Sequence, residues 1–137
     1  DLKLAPPIKN AVFTFDPNVP QYVMMVLNKV DPVYGSEAKN AFTRYNNQSF
    51  YTQGIKVAKD TLDADRALLI FSEFDNAEAA IKYRDKIKKD APSEISWLPA
   101  QKYSFYIISA PNLELLKENK NLQSYIDLLN NKYPNKF

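Results

Sequence analysis

Residues 67–80, Ala67-Leu68-Leu69-Ile70-Phe71-Ser72-Glu73-Phe74-Asp75-Asn76-Ala77-Glu78-Ala79-Ala80, pass directly from an unbroken apolar run into a helix start. The run from Ala67 to Phe71 has no polar interruption, so it reads as a strand buried on both faces. Asp75 and Glu78 then make a D-x-x-E capping box, in which side-chain oxygens accept from the first free backbone N–H groups of a helix. That helix is expected to run to about Asp90. Its inner stripe is Ala77, Ala80, Ile81, Arg84 (through its stem) and Ile87. Lys86, Lys88 and Lys89 fall near its carboxyl end, where the helix dipole favours cations.

Upstream of this passage, Gly54 opens a strand in which Ile55 and Val57 alternate with Lys56 and Ala58. Asp63-Ala64-Asp65 supplies the turn of an antiparallel hairpin. Further upstream, Tyr22-Val23-Met24-Met25-Val26-Leu27 is a second continuous apolar strand, bounded by Pro20 and Asn28. Asp31-Pro32 starts a helix, aspartate as N-cap and proline in the first helical position. Tyr34, Ala38, Ala41, Phe42 and Tyr45 form its apolar stripe, and Asn46-Asn47 ends it. Downstream, a loop with Pro92, Trp97 and Pro99 leads to a fourth strand, Tyr103 to Ser109. Pro111-Asn112 starts one or two closing helices, striped by Leu113 and Leu116 and by Leu122, Tyr125, Ile126, Leu129 and Tyr133.

The order β-α-β-β-α-β followed by helices is the split βαβ, ferredoxin-like arrangement of the α+β class. It predicts a four-stranded antiparallel sheet with helices on one face, plus C-terminal helices, the first and third strands being central. Residues 21–137 make up this domain. Residues 1–20 carry Pro6, Pro7, Pro17 and Pro20 around Val12-Phe13-Thr14-Phe15 and read as a linker with one potential edge strand.

A chain of 137 residues fits one domain, and 45% hydrophobic with 25% charged residues is an ordinary globular balance. Lys+Arg 18 against Asp+Glu 16 leaves a net charge of +2, far from the basic excess that nucleic acid demands. Lys82, Lys86, Lys88 and Lys89 are diluted by Glu78, Asp85 and Asp90 and read as a solvated helix end. No apolar run approaches the ~20 residues of a membrane-spanning helix. The chain opens on Asp1 with no signal peptide, so a piece of a longer, processed protein is expected.

Cysteine and histidine are both absent, which removes thiolate chemistry, the commonest general base and the commonest transition-metal ligand. Gly35 and Gly54 are the only glycines, too few for a phosphate-cradling loop. Asp60, Asp63 and Asp65 lack the glycine and distal glutamate of a calcium loop and read as turn residues. The expectation is therefore a module that is not an enzyme and holds no cofactor or metal.

Aromatic residues make up 13% of the chain, most of them on inner stripes. Strand alternation sets Tyr106 opposite Phe105 and Ile107, on the face that the first two helices leave open. Tyr106, Ser104, Ile108 and Lys56 would share that face, with Trp97 and Tyr51 in loops nearby. Apolar faces of this kind mark interaction surfaces, unless residues 11–15 or the closing helices fold over them. The second or fourth strand, at a sheet edge, offers a further route to pairing with another copy.

Several segments resemble one family. They are Pro20-Gln21-Tyr22-Val23-Met24-Met25-Val26, Phe42-x-x-Tyr45-Asn46, Leu68-Leu69-Ile70-Phe71-x-x-Phe74, Asn76-Ala77-Glu78-Ala79-Ala80 and Tyr103-Ser104-Phe105-Tyr106-Ile107-Ile108-Ser109. Together they are similar to the C-terminal domain of tetratricopeptide-repeat lipoproteins of the PorW/SprE type, from the type IX secretion and gliding machinery of Bacteroidetes. The likeness spans residues 20 to 133 and rests on packing motifs. Gln21 departs from it, standing where many relatives carry histidine. The resemblance implies a periplasmic docking module for protein partners of the cell envelope, its parent anchored to the outer membrane by a lipid. Phe71 to Ala80 alone is also similar to SPOR domains. That likeness implies an alternative, peptidoglycan glycan strands stacked on Tyr106 with Ser104 and Lys56 beside it.

Overall fold

The computed structural model describes residues 12–137. It is an α+β fold of ferredoxin-like topology. The strands are β1 (Gln21–Asn28), β2 (Lys56–Thr61), β3 (Arg66–Phe74) and β4 (Tyr103–Ile108), and the helices are α1 (Pro32–Ser49), α2 (Ala77–Glu94), α3 (Ala110–Asn119) and α4 (Leu122–Lys132). The sheet runs β2-β3-β1-β4 and every neighbouring pair is antiparallel. The two most apolar strands are thus the central ones.

Register divides the side chains between two faces. Val23, Met25 and Leu27 lie level with Phe71, Leu69 and Ala67 on β3, and with Ile107, Phe105 and Tyr103 on β4. This face meets α1 and α2. The Phe42 ring of α1 packs edge-on against Phe71 at 5.6 Å and Phe105 at 6.3 Å. The opposite face carries Met24, Val26, Leu68, Ile70, Tyr106 and Ile108.

The closing helices cover that second face. Lys117 of α3 pairs with Asp60 of β2 at 2.9 Å. The α3–α4 corner is pinned to the β2–β3 turn, where Lys120 Nζ donates to the Leu62 carbonyl and Arg66 Nη2 to the Lys120 carbonyl. Leu113, Leu116, Leu122, Tyr125 and Leu129 are buried beneath these helices. Met24, Leu68 and Ile108 retain 0% exposure. The expectation of an open apolar sheet face is therefore corrected: β1, β3 and the end of β4 are greasy on both sides because both sides are covered.

Residues 12–20 form no strand. Phe13 packs edge-on to Tyr125 at 5.1 Å and Phe15 to Tyr133 at 5.6 Å, while Asn112 Nδ2 donates to the Thr14 carbonyl. The segment runs over α3 and α4, so the expected edge strand at Val12–Phe15 is replaced by helix packing. The remainder of the linker expected over residues 1–20, up to residue 11, lies outside the described residues.

Local chemistry sets the ends of the elements. Asp31 caps α1, its carboxylate accepting from the Val33 N–H at 3.0 Å. The cap of α2 is Asn76, whose Oδ1 accepts from the Ala79 N–H, and not Asp75 as the capping-box reading had it. α2 also runs past Asp90 to Glu94 and takes Pro92 into its last turn. A proline costs one backbone hydrogen bond there, and the ordered turn that follows, anchored by buried Ile95, holds the extension in place.

The outer edge of β4 is closed by side chains. Arg84 of α2, 5% exposed, donates Nε to the Phe105 carbonyl at 3.0 Å. Tyr125 of α4 donates its hydroxyl to the Ile107 carbonyl at 2.8 Å. Alternate residues of a strand direct their carbonyls to the same edge, so these two acceptors both lie on the side away from β1. The Phe137 ring sits 4.6 Å from the Arg84 guanidinium and 6.4 Å from Tyr106.

Candidate functional site

The six residues expected to form one surface are dispersed. Ile108 is fully buried, and Tyr106 and Ser104 are half-buried along the β4 edge. Lys56 is exposed at the start of β2. Tyr51, 73% exposed, follows α1 at the end of the domain opposite Trp97. A glycan platform centred on Tyr106 has no open face to lie on. Of the six, Trp97 is the one that belongs to a larger exposed apolar group.

That group lies where α1 begins and α2 ends. Val33, Tyr34 and Trp97 are 58%, 50% and 45% exposed, and the Tyr34 and Trp97 rings stand 5.7 Å apart, tilted by 35°. Each is placed by local structure. The Asp31 cap and Pro32 fix the first turn of α1, and the Tyr34 and Gly35 N–H groups donate to the Asp31 carbonyl. Gly35, on the inner side of that turn, faces Leu27 and the Lys59 side chain. Val33 and Tyr34 therefore point outward. Trp97 sits in a turn held on both sides, with Ile95 and Leu98 buried and the Leu98 N–H donating to the Ile95 carbonyl at 2.9 Å. Pegging its neighbours inward leaves the indole facing water.

Sequence reading assigned Tyr34 to the core stripe of α1, and the structure corrects this. One residue in the first turn of a helix keeps the right spacing yet lies beyond the sheet it would cover. Asp31-Pro32, which fixes the helix start, was the signal that could have located it at that end.

Most titratable groups with shifted behaviour are engaged in structural pairs, whereas Tyr103 and Tyr133 are raised by burial alone. The Arg66 guanidinium, bonded through Nε and Nη2, holds the Asp63 carboxyl below the usual range. Partial burial works against ionisation of Asp60, but hydrogen bonds from Lys117 and the Thr61 N–H outweigh it and lower its pKa. The Tyr45 hydroxyl, followed by Lys86, lowers Asp90. Burial raises Tyr83 and Tyr125, and burial followed by the Asp90 carboxylate raises Tyr45. Asp60 and Asp63 do line a hollow of about 280 Å³ beside the β2–β3 turn, each already committed to its cation.

Two buried polar atoms lack a hydrogen-bond partner among the described residues, Gln21 Oε1 and Asn46 Nδ2. Gln21 uses its Nε2 on the Asp16 carbonyl at 3.3 Å. Among the described residues no group of three or more acidic side chains is placed to hold a metal ion, and no helix is long and apolar enough to cross a membrane. No family model, curated protein or solved structure matches the chain.

Proposed function

We propose that this domain is a non-catalytic docking module that binds protein partners of the cell envelope through its Val33–Tyr34–Trp97 end. In this reading it is the C-terminal part of a periplasmic secretion or gliding lipoprotein, as the resemblance to PorW/SprE-type proteins implies. The observation that carries it is the paired exposure of Tyr34 and Trp97, set rigidly beside Val33. Tryptophan and tyrosine offer large contact area at low entropic cost and dominate the centres of protein interfaces. Single exposed apolar residues are ordinary on any surface, whereas three gathered on one fixed end are a surface that association would cover. The shifted carboxylates Asp60, Asp63 and Asp90 are each hydrogen-bonded within the fold, which supports a binding role over a chemical one.

Site-specific photo-crosslinking in cells tests the reading. A photoreactive phenylalanine analogue at Val33 should capture a defined envelope protein, and Tyr34→Ala with Trp97→Ala should abolish the product. A crosslink that survives the double substitution, or that forms equally from position 51, would overturn it. Co-sedimentation with purified peptidoglycan that depends on Trp97 would instead assign the same end to glycan.

A further inference from the structure

A second concavity lies at the opposite end of the helical layer, between α2 and the single helical turn after α1. Its volume is about 490 Å³, within the range of small-molecule sites. Phe50, Phe74 and Tyr83 form its floor, with the Tyr83 ring 5.2 Å from Phe50 and 4.9 Å from Phe74. The Tyr83 hydroxyl is turned away, donating to Asn46 Oδ1 at 2.5 Å, so the floor presents ring and not hydroxyl. Ala79 and Gln53 complete the walls, and Lys82 and Lys86 stand at the mouth.

Among the described residues the charge on this lining has one sign. Among the described residues, two lysines spaced i, i+4 on one face of α2 line it, and no carboxylate does. Lys86 is shared with Asp90 at 3.0 Å, whereas Lys82 has no ion-pair partner among the described residues. Aromatic rings receive a flat ring in offset or edge contact, and an ammonium at the rim selects an anion. We propose that this pocket is a binding site for a small aromatic carboxylate, its ring set among Phe50, Phe74 and Tyr83 and its carboxylate at Lys82 and Lys86. The site is separate from the Val33–Tyr34–Trp97 end and does not depend on the function proposed for it.

Two-dimensional amide NMR of the full chain, titrated with 2-naphthoate, tests this directly. Shifts should concentrate at residues 50–53, 74 and 79–86. The neutral analogue 2-naphthamide should bind at least about fivefold more weakly, since it lacks the charge the lysines select. Lys82→Glu with Lys86→Glu, both on exposed positions, should weaken naphthoate by a similar or greater factor. Ala79→Trp should block it by filling the wall. The same spectra report that each variant is folded. Absence of shifts at millimolar naphthoate, equal binding of the amide, or shifts centred on Trp97 would each overturn the proposal.

Discussion

Arg84 and Tyr125 close the same edge of the sheet from opposite layers, one bonding the Phe105 carbonyl and the other the Ile107 carbonyl. Sheet edges invite pairing with other chains, and proteins block them with covering elements or charge. Here the block is made of hydrogen bonds to the backbone itself. β2, at the other edge, bears Lys56 and Lys59 instead. Charge is thus the guard at β2, and backbone hydrogen bonds are the guard at β4.

Arg84→Leu should lower unfolding stability by about 2 kcal/mol, because it leaves a buried carbonyl without its charged donor. It should also open the β4 edge. Urea unfolding measures the first effect, and a concentration-dependent shift in size-exclusion elution measures the second. Tyr125→Phe, which loses one neutral donor, should cost about 1 kcal/mol.

Alkaline pH should destabilise the domain. Burial raises Tyr45, Tyr83 and Tyr125 above the ordinary tyrosine value, so the unfolded chain releases these protons first. Stability from these groups is complete below about pH 10, the unfolded tyrosine value, and falls as pH rises above it. Tyr83→Phe should flatten the decline in urea midpoint between about pH 10 and 12. An unchanged slope would contradict the burial of its hydroxyl.

Acid should destabilise the domain as well, through its carboxylates. Asp63, Asp90 and Asp60 are held below the ordinary carboxylate value by Arg66, Tyr45 and Lys117. Their contribution is complete above about pH 4 and is lost as pH falls through the lowered folded values. The urea midpoint should drop below pH 4, and Arg66→Ala should reduce the drop.

Tyr34→Ala and Trp97→Ala should each leave stability within about 0.5 kcal/mol, since both rings are already substantially solvated. Trp97 is the chain's single tryptophan, so intrinsic fluorescence reports this end alone. Acrylamide should quench it readily in the free domain. Binding of a partner there should shift the emission to the blue and protect it.

Lys29 holds φ 55° between β1 and α1, a left-handed conformation that costs a residue with a Cβ about 1 kcal/mol or more. Its backbone N–H donates to the Asp65 carbonyl, a bond that glycine preserves. Lys29→Gly should therefore stabilise by about 0.5 kcal/mol, read from the urea midpoint.

Element order, strand pairing and most core stripes were legible because hydrophobic period and turn residues are local signals. Ala67–Phe71 and Tyr22–Leu27 were correctly central. What was not legible depended on how layers stack. Periodicity in α3 and α4 shows that each has an apolar side but not which sheet face receives it, so Ile108 read as part of an open surface. Tyr83 was missed because five apolar or amphipathic positions already filled the α2 stripe, leaving no sequence reason to widen it. Tyr34 satisfied the stripe of α1 yet lies past the end of the sheet. Of the candidate surface, only Trp97 carried over into an exposed apolar cluster.

The roof that α3 and α4 place over the sheet has a bearing on how the chain is handled in pieces. A protein cut before Ala110 would keep all four strands but uncover Met24, Val26, Leu68, Ile70 and Ile108 as one water-facing sheet of oil. The same holds for a nascent chain still waiting for its last helices. Sealing comes only when residues far along the sequence arrive, so the final fifth is structural closure and not an appendix.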